Sequence, residues 1–189
     1  MPGETVLVQG ATGVAGRLAV QVARLLGAGR IVATGRDEGQ LREVLDLGAD
    51  TVIDTAVPDD ALARAYTEAR GDGYDVVVDF LRGRPTEILL RSLTPESFAF
   101  PKPIRVVQAG ESAGARLTLS ADSLRTSGVE IYGAARNLNP GTMGEVYGRV
   151  VAWTRSGELA FAVEKVPLSA VESAWRRTDL RGRRLVVVP

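Results

Sequence analysis

Residues Val6 to Gly27 read VLVQGATGVAGRLAVQVARLLG, and this stretch decides the fold. A β-branched run, Thr5 to Val8, leads into a loop with glycines at 10, 13 and 16. Behind the loop, Leu18, Val22, Leu25 and Leu26 recur at helical spacing from Val14 to Leu26, and Gly27 and Gly29 supply a stop. A glycine loop between a buried strand and a helix has a physical use. The first N–H groups of a helix lack intrahelical acceptors and point along the positive end of its dipole, so an anion is favoured there. Gly10 permits the tight turn, Gly13 lets backbone approach a diphosphate, and Gly16 lets the helix press on the strand. The spacing has one residue more than Gly-x-Gly-x-x-Gly before the second glycine. A ligand-free turn is the competing reading, and the strand–loop–helix context disfavours it.

Working outward, the same unit repeats. Strands are predicted at Arg30–Thr34, Thr51–Asp54, Tyr74–Asp79, Ile104–Ala109 and Val129–Tyr132. Helices are predicted at Glu38–Leu47, from Pro58 to about Arg70, and at Pro85–Leu93. The strands are almost wholly apolar rather than alternating, as in strands covered on both faces. Alternating strand and helix with short connections implies an α/β, doubly wound Rossmann fold with a parallel six-stranded sheet. Thr94 to Pro103 contains three prolines and reads as a loop. The tail predicts an amphipathic helix at Gly141–Ser156, a strand at Ala162–Val166, a helix at Ser169–Arg177 and a strand at Leu185–Val188.

The composition narrows the chemistry. The 189 residues carry 23 basic and 23 acidic side chains, which argues against a general nucleic-acid or membrane-surface partner. Histidine and cysteine are absent. Disulfides, thiolate or imidazole metal ligands and Cys-His or Ser-His-Asp nucleophiles are therefore outside this sequence, and no zinc site is expected. The lack of cysteine and of a visible signal peptide suggests a cytoplasmic protein.

The residue about 20 positions past the last glycine of such a loop meets the adenosine ribose. Here that is Arg36, in Thr34-Gly35-Arg36-Asp37. A guanidinium suits a 2′-phosphate, which favours NADP(H) over NAD(H). Asp37 is the counterargument, because an acid at this point accepts from a 2′-hydroxyl.

Five segments together resemble the nucleotide-binding domain of the medium-chain dehydrogenase/reductase superfamily, on its quinone-oxidoreductase and zinc-binding-dehydrogenase side. They are GETVLVQGATGVAG (Gly3–Gly16), LAVQVARLLGA (Leu18–Ala28), LGADTVID (Leu47–Asp54), YDVVVDFLRG (Tyr74–Gly83) and VPLSAVESAWRR (Val166–Arg177). That branch uses the Gly-Ala-x-Gly-x-x-Gly form, which accounts for the spacing at Gly10. The resemblance implies that Thr12, Gly13, Val14 and Ala15, with Gly16 behind them, lie along the diphosphate, and Thr34, Gly35 and Arg36 along the adenosine ribose. Asp79, Phe80 and Leu81 would line the nicotinamide ribose. Gln108, Ala109 and Gly110 would approach the nicotinamide, with Gly133 and Ala134 bordering it. It also implies hydride transfer to a small-molecule quinone, enone or carbonyl compound, and a homodimer through the edge strand 129–132. The resemblance further divides the chain into a Rossmann domain, 1–158, and a short β-α-β return segment, 159–189, of a substrate domain; most substrate contacts would come from an N-terminal domain outside this sequence.

In the zinc-free branch no protein acid is obligatory, so no residue is assigned as catalytic; Ser112 is expected among the cofactor-binding residues, and it and Tyr132 are candidate proton donors. Short-chain reductases need Tyr-x-x-x-Lys, but Tyr66, Tyr74, Tyr132 and Tyr147 are followed four on by Arg70, Val78, Arg136 and Val151. A phosphate loop of the NTPase kind needs Gly-Lys-Ser/Thr, whereas Arg17 follows Gly16. The competing class is a non-catalytic NADP(H)-binding or oligomerisation module. The arginines 176, 177, 181, 183 and 184 read as a solvated face rather than a phosphate patch.

Overall fold

The computed structural model describes residues 2–95, 97 and 100–189. Six strands form one sheet: β1 (Thr5–Gln9), β2 (Arg30–Gly35), β3 (Thr51–Asp54), β4 (Val76–Asp79), β5 (Ile104–Gln108) and β6 (Val129–Gly133). Their order is β3-β2-β1-β4-β5-β6, and every pairing is parallel. The chain begins in the middle, builds outward to β3, then returns beside β1 with β4. The order therefore reverses between β1 and β4, which opens a crevice beyond the carboxyl ends of those strands.

The all-apolar strands conceal a period of two. Val6 and Val8 of β1, with Ile31 and Ala33 of β2, pack on one face against Val20 of α1 (Val14–Leu25) and Val44 of α2 (Glu38–Asp46). Leu7 and Val32 point the other way. They meet Leu62 and Tyr66 of α3 (Asp59–Arg70), and Ile88 and Leu89 of α4 (Gly83–Leu93). Both faces are dry, with Leu7, Val8, Ile31 and Val32 at 0% exposure. Burying each such side chain contributes about 1.5–3 kcal/mol.

Several boundaries move by a residue or two from expectation, which is ordinary for element ends. Three differences are larger. A short helix, α5 (Ala121–Arg125), sits where none is predicted; five residues carry too little periodicity to read, and its cap, Ser120 accepting from the Ser123 N–H, is local. The expected helix 169–177 is instead a 3-10 turn, Leu168–Ala170, followed by α7 (Val171–Trp175). The helix predicted as amphipathic, α6 (Pro140–Ser156), has no buried residue, and its Met143, Val146 and Tyr147 are exposed. The expected loop 94–103 contains Glu96, Phe98 and Ala99, which lie outside the described residues.

Strands β7 (Val163–Pro167) and β8 (Arg184–Val188) pair in parallel as a separate two-stranded sheet. This segment is fastened to α1. The Gln21 amide donates to the Ala160 carbonyl (2.8 Å) and accepts from the Ala160 N–H (3.0 Å). Among the described residues no helix is long and apolar enough to cross a membrane.

Candidate functional site: a cleft at the strand ends

The glycine loop leaves β1 at Gly10, whose φ of +79° is a left-handed conformation that L side chains resist. Thr34, wholly buried at the end of β2, holds the loop from below. Its Oγ1 accepts from the Gly10 N–H (3.1 Å), and its carbonyl accepts from the Ala11 N–H (2.8 Å). Thr34 therefore shapes the loop instead of facing the cleft. Gly16 has a packing reason: a Cβ there would stand 2.2 Å from the Gly10 carbonyl oxygen and 2.6 Å from the Ala11 Cα. Gly13 has none within the fold. A Cβ there would meet only the Gly10 oxygen, at 3.7 Å, so what Gly13 keeps clear is the space outside. It is also the N-cap of α1 and offers no capping side chain, and the first turn has no acid. Among the described residues, the N–H groups of Val14, Ala15 and Gly16 find no acceptor.

A cleft of about 500 Å³ opens over this loop. Of the residues expected at the cofactor, Gly10, Thr12, Gly13, Gly35, Arg36, Leu81 and Ser112 line it; Thr55, Arg84, Pro85 and Ala113 line it too and carried no such expectation. Thr55 follows β3 and is tied to the Gly35 carbonyl through both its N–H (2.7 Å) and its hydroxyl (3.0 Å). The rule that ligands sit past strand ends could have found it; nothing local marks Arg84. That guanidinium is fully engaged, donating to the Thr55 and Val57 carbonyls and pairing with Asp59.

Arg36 and Asp37 part company. Asp37 caps α2, its Oδ1 accepting from the Gln40 N–H (2.9 Å). Arg36 lines the cleft, is exposed, and has no hydrogen bond or ion pair among the described residues. Arg17, in the first turn of α1, braces the loop from behind. Its Nε donates to the Thr12 carbonyl (3.0 Å) and its Nη1 pairs with Glu43, while its buried Nη2 has no partner.

Beneath the cleft runs a buried polar chain that the sequence did not suggest. The Tyr66 hydroxyl donates to Gln9 Oε1 (2.7 Å), Gln9 Nε2 to Thr86 Oγ1 (3.2 Å), and Thr86 to Asp79 Oδ2 (2.8 Å). Asp79 Oδ1 accepts from the Leu81 and Arg82 N–H groups, both at 2.9 Å. Asp79, at 0% exposure, thus fixes the turn after β4 with its carboxylate and presents none of it to the cleft. Burial pushes the hydroxyls of Tyr66 and Tyr74 far above the usual phenol range, so both remain neutral donors.

A second recess of about 400 Å³ lies past β5, lined by Arg82, Gln108, Ala109, Gly110, Glu111 and Ala115. Its floor is stitched to the turn after β4: the Ala109 and Gly110 N–H groups donate to the Asp79 carbonyl, and the Ser112 N–H and hydroxyl both donate to the Phe80 carbonyl. The Ser112 proton is thereby engaged. Ala134 extends β6 by donating to the Gln108 carbonyl (2.9 Å), and Gly133 beside it is open. The Arg136 guanidinium lies 4.9 Å from the centroid of the Tyr132 ring. The tail arginines are mostly paired: Arg176 with Glu172, Arg177 with Asp179 and Glu164, and Arg183 with Glu164.

The family model described as zinc-binding dehydrogenase matches residues 15–96. A probable NADPH-dependent quinone reductase of Emericella nidulans is 28% identical over 202 aligned positions, covering 99% of this chain and 54% of that protein. A highly reducing polyketide synthase from a fungal species is 28% identical over 196 positions, covering 99% of this chain and 7% of that one. The crystal structure of a putative alcohol dehydrogenase from Sinorhizobium meliloti 1021 superposes with a TM-score of 0.77 at 31% identity, over 100% of this chain and 49% of that one. The chain is thus similar to the nucleotide-binding part of the medium-chain dehydrogenase/reductase superfamily. It spans about half the length of the quinone reductase.

Zinc in medium-chain dehydrogenases of the matched description would need ligands this stretch lacks. There is no histidine or cysteine in the sequence, and among the described residues no group of three or more acids is placed to hold a metal ion. A dinucleotide does fit the residues present. An unfilled space at Gly13 and an unpaired Arg36 border one cleft, and the free amides that open α1 directly follow Gly13.

Proposed function

We propose that this chain is the NADP(H)-binding part of an oxidoreductase that transfers hydride between the nicotinamide and a quinone, enone or carbonyl/alcohol substrate. In this reading residues 1–158 form the cofactor domain and 159–189 the return segment. The carrying observation is the division of labour at the end of β2: the Asp37 carboxylate caps a helix while the Arg36 guanidinium stands unpaired at the cleft. A cation without a partner suits a 2′-phosphate, and a committed acid is a poor acceptor for a 2′-hydroxyl. The amides of Val14 to Gly16 would hold the diphosphate. The bound nicotinamide supplies the hydride chemistry, and the protein supplies position and electrostatics. The quinone reductase of Emericella nidulans, NADPH-dependent by name, supports the same cofactor.

Fluorescence titration with NADPH and NADH tests the assignment. Arg36→Ala should weaken NADPH by about 1–3 kcal/mol and leave NADH nearly unchanged. Equal loss for both would remove the 2′-phosphate role, and no saturable binding of either by the parent chain would remove the cofactor reading itself. Turnover of a quinone and enone panel by the chain separates an enzyme from a non-catalytic binding module.

A further inference from the structure

The backbone of Arg82 is at φ 54°, ψ −166°, a region populated essentially by glycine alone. It immediately precedes α4, at the turn where β4 ends, so the strain sits at the edge of the crevice. Three groups hold it there. The Asp79 carboxylate accepts from the Arg82 N–H, the Arg82 Nε donates to the Ala115 carbonyl (3.2 Å), and Nη1 donates to Gln108 Oε1 (2.9 Å). Gln108, so oriented, turns its own amide nitrogen onto the Gly110 carbonyl. Gly110 is pressed against the turn after β4, where a Cβ would stand 2.8 Å from the Phe80 oxygen. The partners of the Arg82 guanidinium are neutral oxygens, and the residue lines the recess past β5. A glycine would satisfy the turn without strain. What a glycine would lose is the guanidinium fork that ties two loops together.

We propose that Arg82 is a positioning residue for the nicotinamide half of the site: its strained backbone is kept so that its guanidinium braces Gln108 and the 109–115 loop against the turn after β4. The inference rests on the dinucleotide reading above. Adenosine binds past β2, at Arg36, so the other half of an extended dinucleotide crosses the switch point toward β4 and β5, where this brace stands. Strain of this kind persists where surrounding groups over-determine it, and the Asp79, Gln108 and Ala115 contacts do so here.

The test uses the 189-residue chain with NADPH and 2′,5′-ADP, the latter reaching only the adenosine side. Arg82→Gly should raise Tm, weaken NADPH about tenfold, and leave 2′,5′-ADP within twofold of the parent. Arg82→Lys keeps the charge and the strain but not the two-pronged fork; it should lose NADPH affinity without gaining Tm. Parent-like NADPH binding by Arg82→Gly overturns the proposal while leaving the cofactor reading intact. So does an equal loss of both nucleotides, which marks general damage. If the parent chain binds neither nucleotide, the cofactor reading fails and the brace with it.

Discussion

Residues 5–133 and 140–189 are written in the same idiom, short β-branched runs alternating with helices, yet only the first region builds a core. β1 and β8 make the point. TVLVQ lies between two strands and under helices on both faces, and its last four residues are buried. RLVVV pairs with a single neighbour and has no buried residue. Among the described residues, every buried hydrophobic one lies between Val6 and Val129 except Leu159 and Ala174. Leu168, Trp175, Val186 and Val187 are left exposed. An apolar run specifies extended backbone; burial needs a second layer, and that depends on what the rest of the chain can place over it.

Truncating one side chain in each region should separate the two most strongly. Leu7→Ala removes a fully enclosed side chain between β-sheet and α3/α4 and should cost about 2–5 kcal/mol in urea unfolding, from lost transfer energy plus the cavity. Val187→Ala, 37% exposed in the two-stranded sheet, should cost about 0.5 kcal/mol. Comparable losses would mean that the second region is as tightly integrated as the first.

A smaller effect probes the polar chain under the cleft. Tyr66→Phe keeps the ring in the core and leaves Gln9 Oε1, buried, without its donor. An unsatisfied buried acceptor costs about 1–3 kcal/mol. Stability by chemical denaturation should fall by that much, and a neutral result would show that the chain is not a closed network.

How far the sequence reaches follows the same divide. In the first region, period, caps and breakers agree with the packing, so the alternation of strands and helices and the glycine loop were legible from residues such as Val6–Gly16 and Glu38. The site was legible where backbone carries it, at Gly10, Gly13 and Gly35, and at Arg36 where a spacing rule applied. It was illegible where long-range pairing decides a side chain's use. Thr34 and Asp79 read as cleft residues, yet Thr34 supports the loop and Asp79 anchors a turn. Arg82 gives no sequence signal because its meaning lies in a backbone angle. In the second region, α6 has an apolar pattern and no cover, and pattern alone cannot tell those apart.

The mildest contrast is in acid sensitivity. Partial burial pushes the Asp75 carboxyl up, but the Lys102 ammonium and the Thr5 N–H outweigh it and hold the group below the usual carboxylate range. A carboxylate with a depressed folded pKa contributes stability that is fully present above its unfolded value, near pH 4, and is lost as pH falls through the lower folded value. Asp75 bonds the N–H that opens β1, so this loss falls on the central strand of the core. In the second region Glu164 is likewise held down, chiefly by Arg177, but that pair is only partly enclosed and joins only the two-stranded sheet to its own turn. Thermal unfolding between pH 7 and pH 2.5 should therefore separate two variants. Asp75→Asn should start lower at pH 7 and converge on the parent below pH 4, because the parent loses there what the variant never had. Glu164→Gln should differ from the parent at pH 7 far less than Asp75→Asn does, with a correspondingly smaller convergence in acid. If the two variants behaved alike, the acid response would belong to net charge and not to the strand that Asp75 anchors.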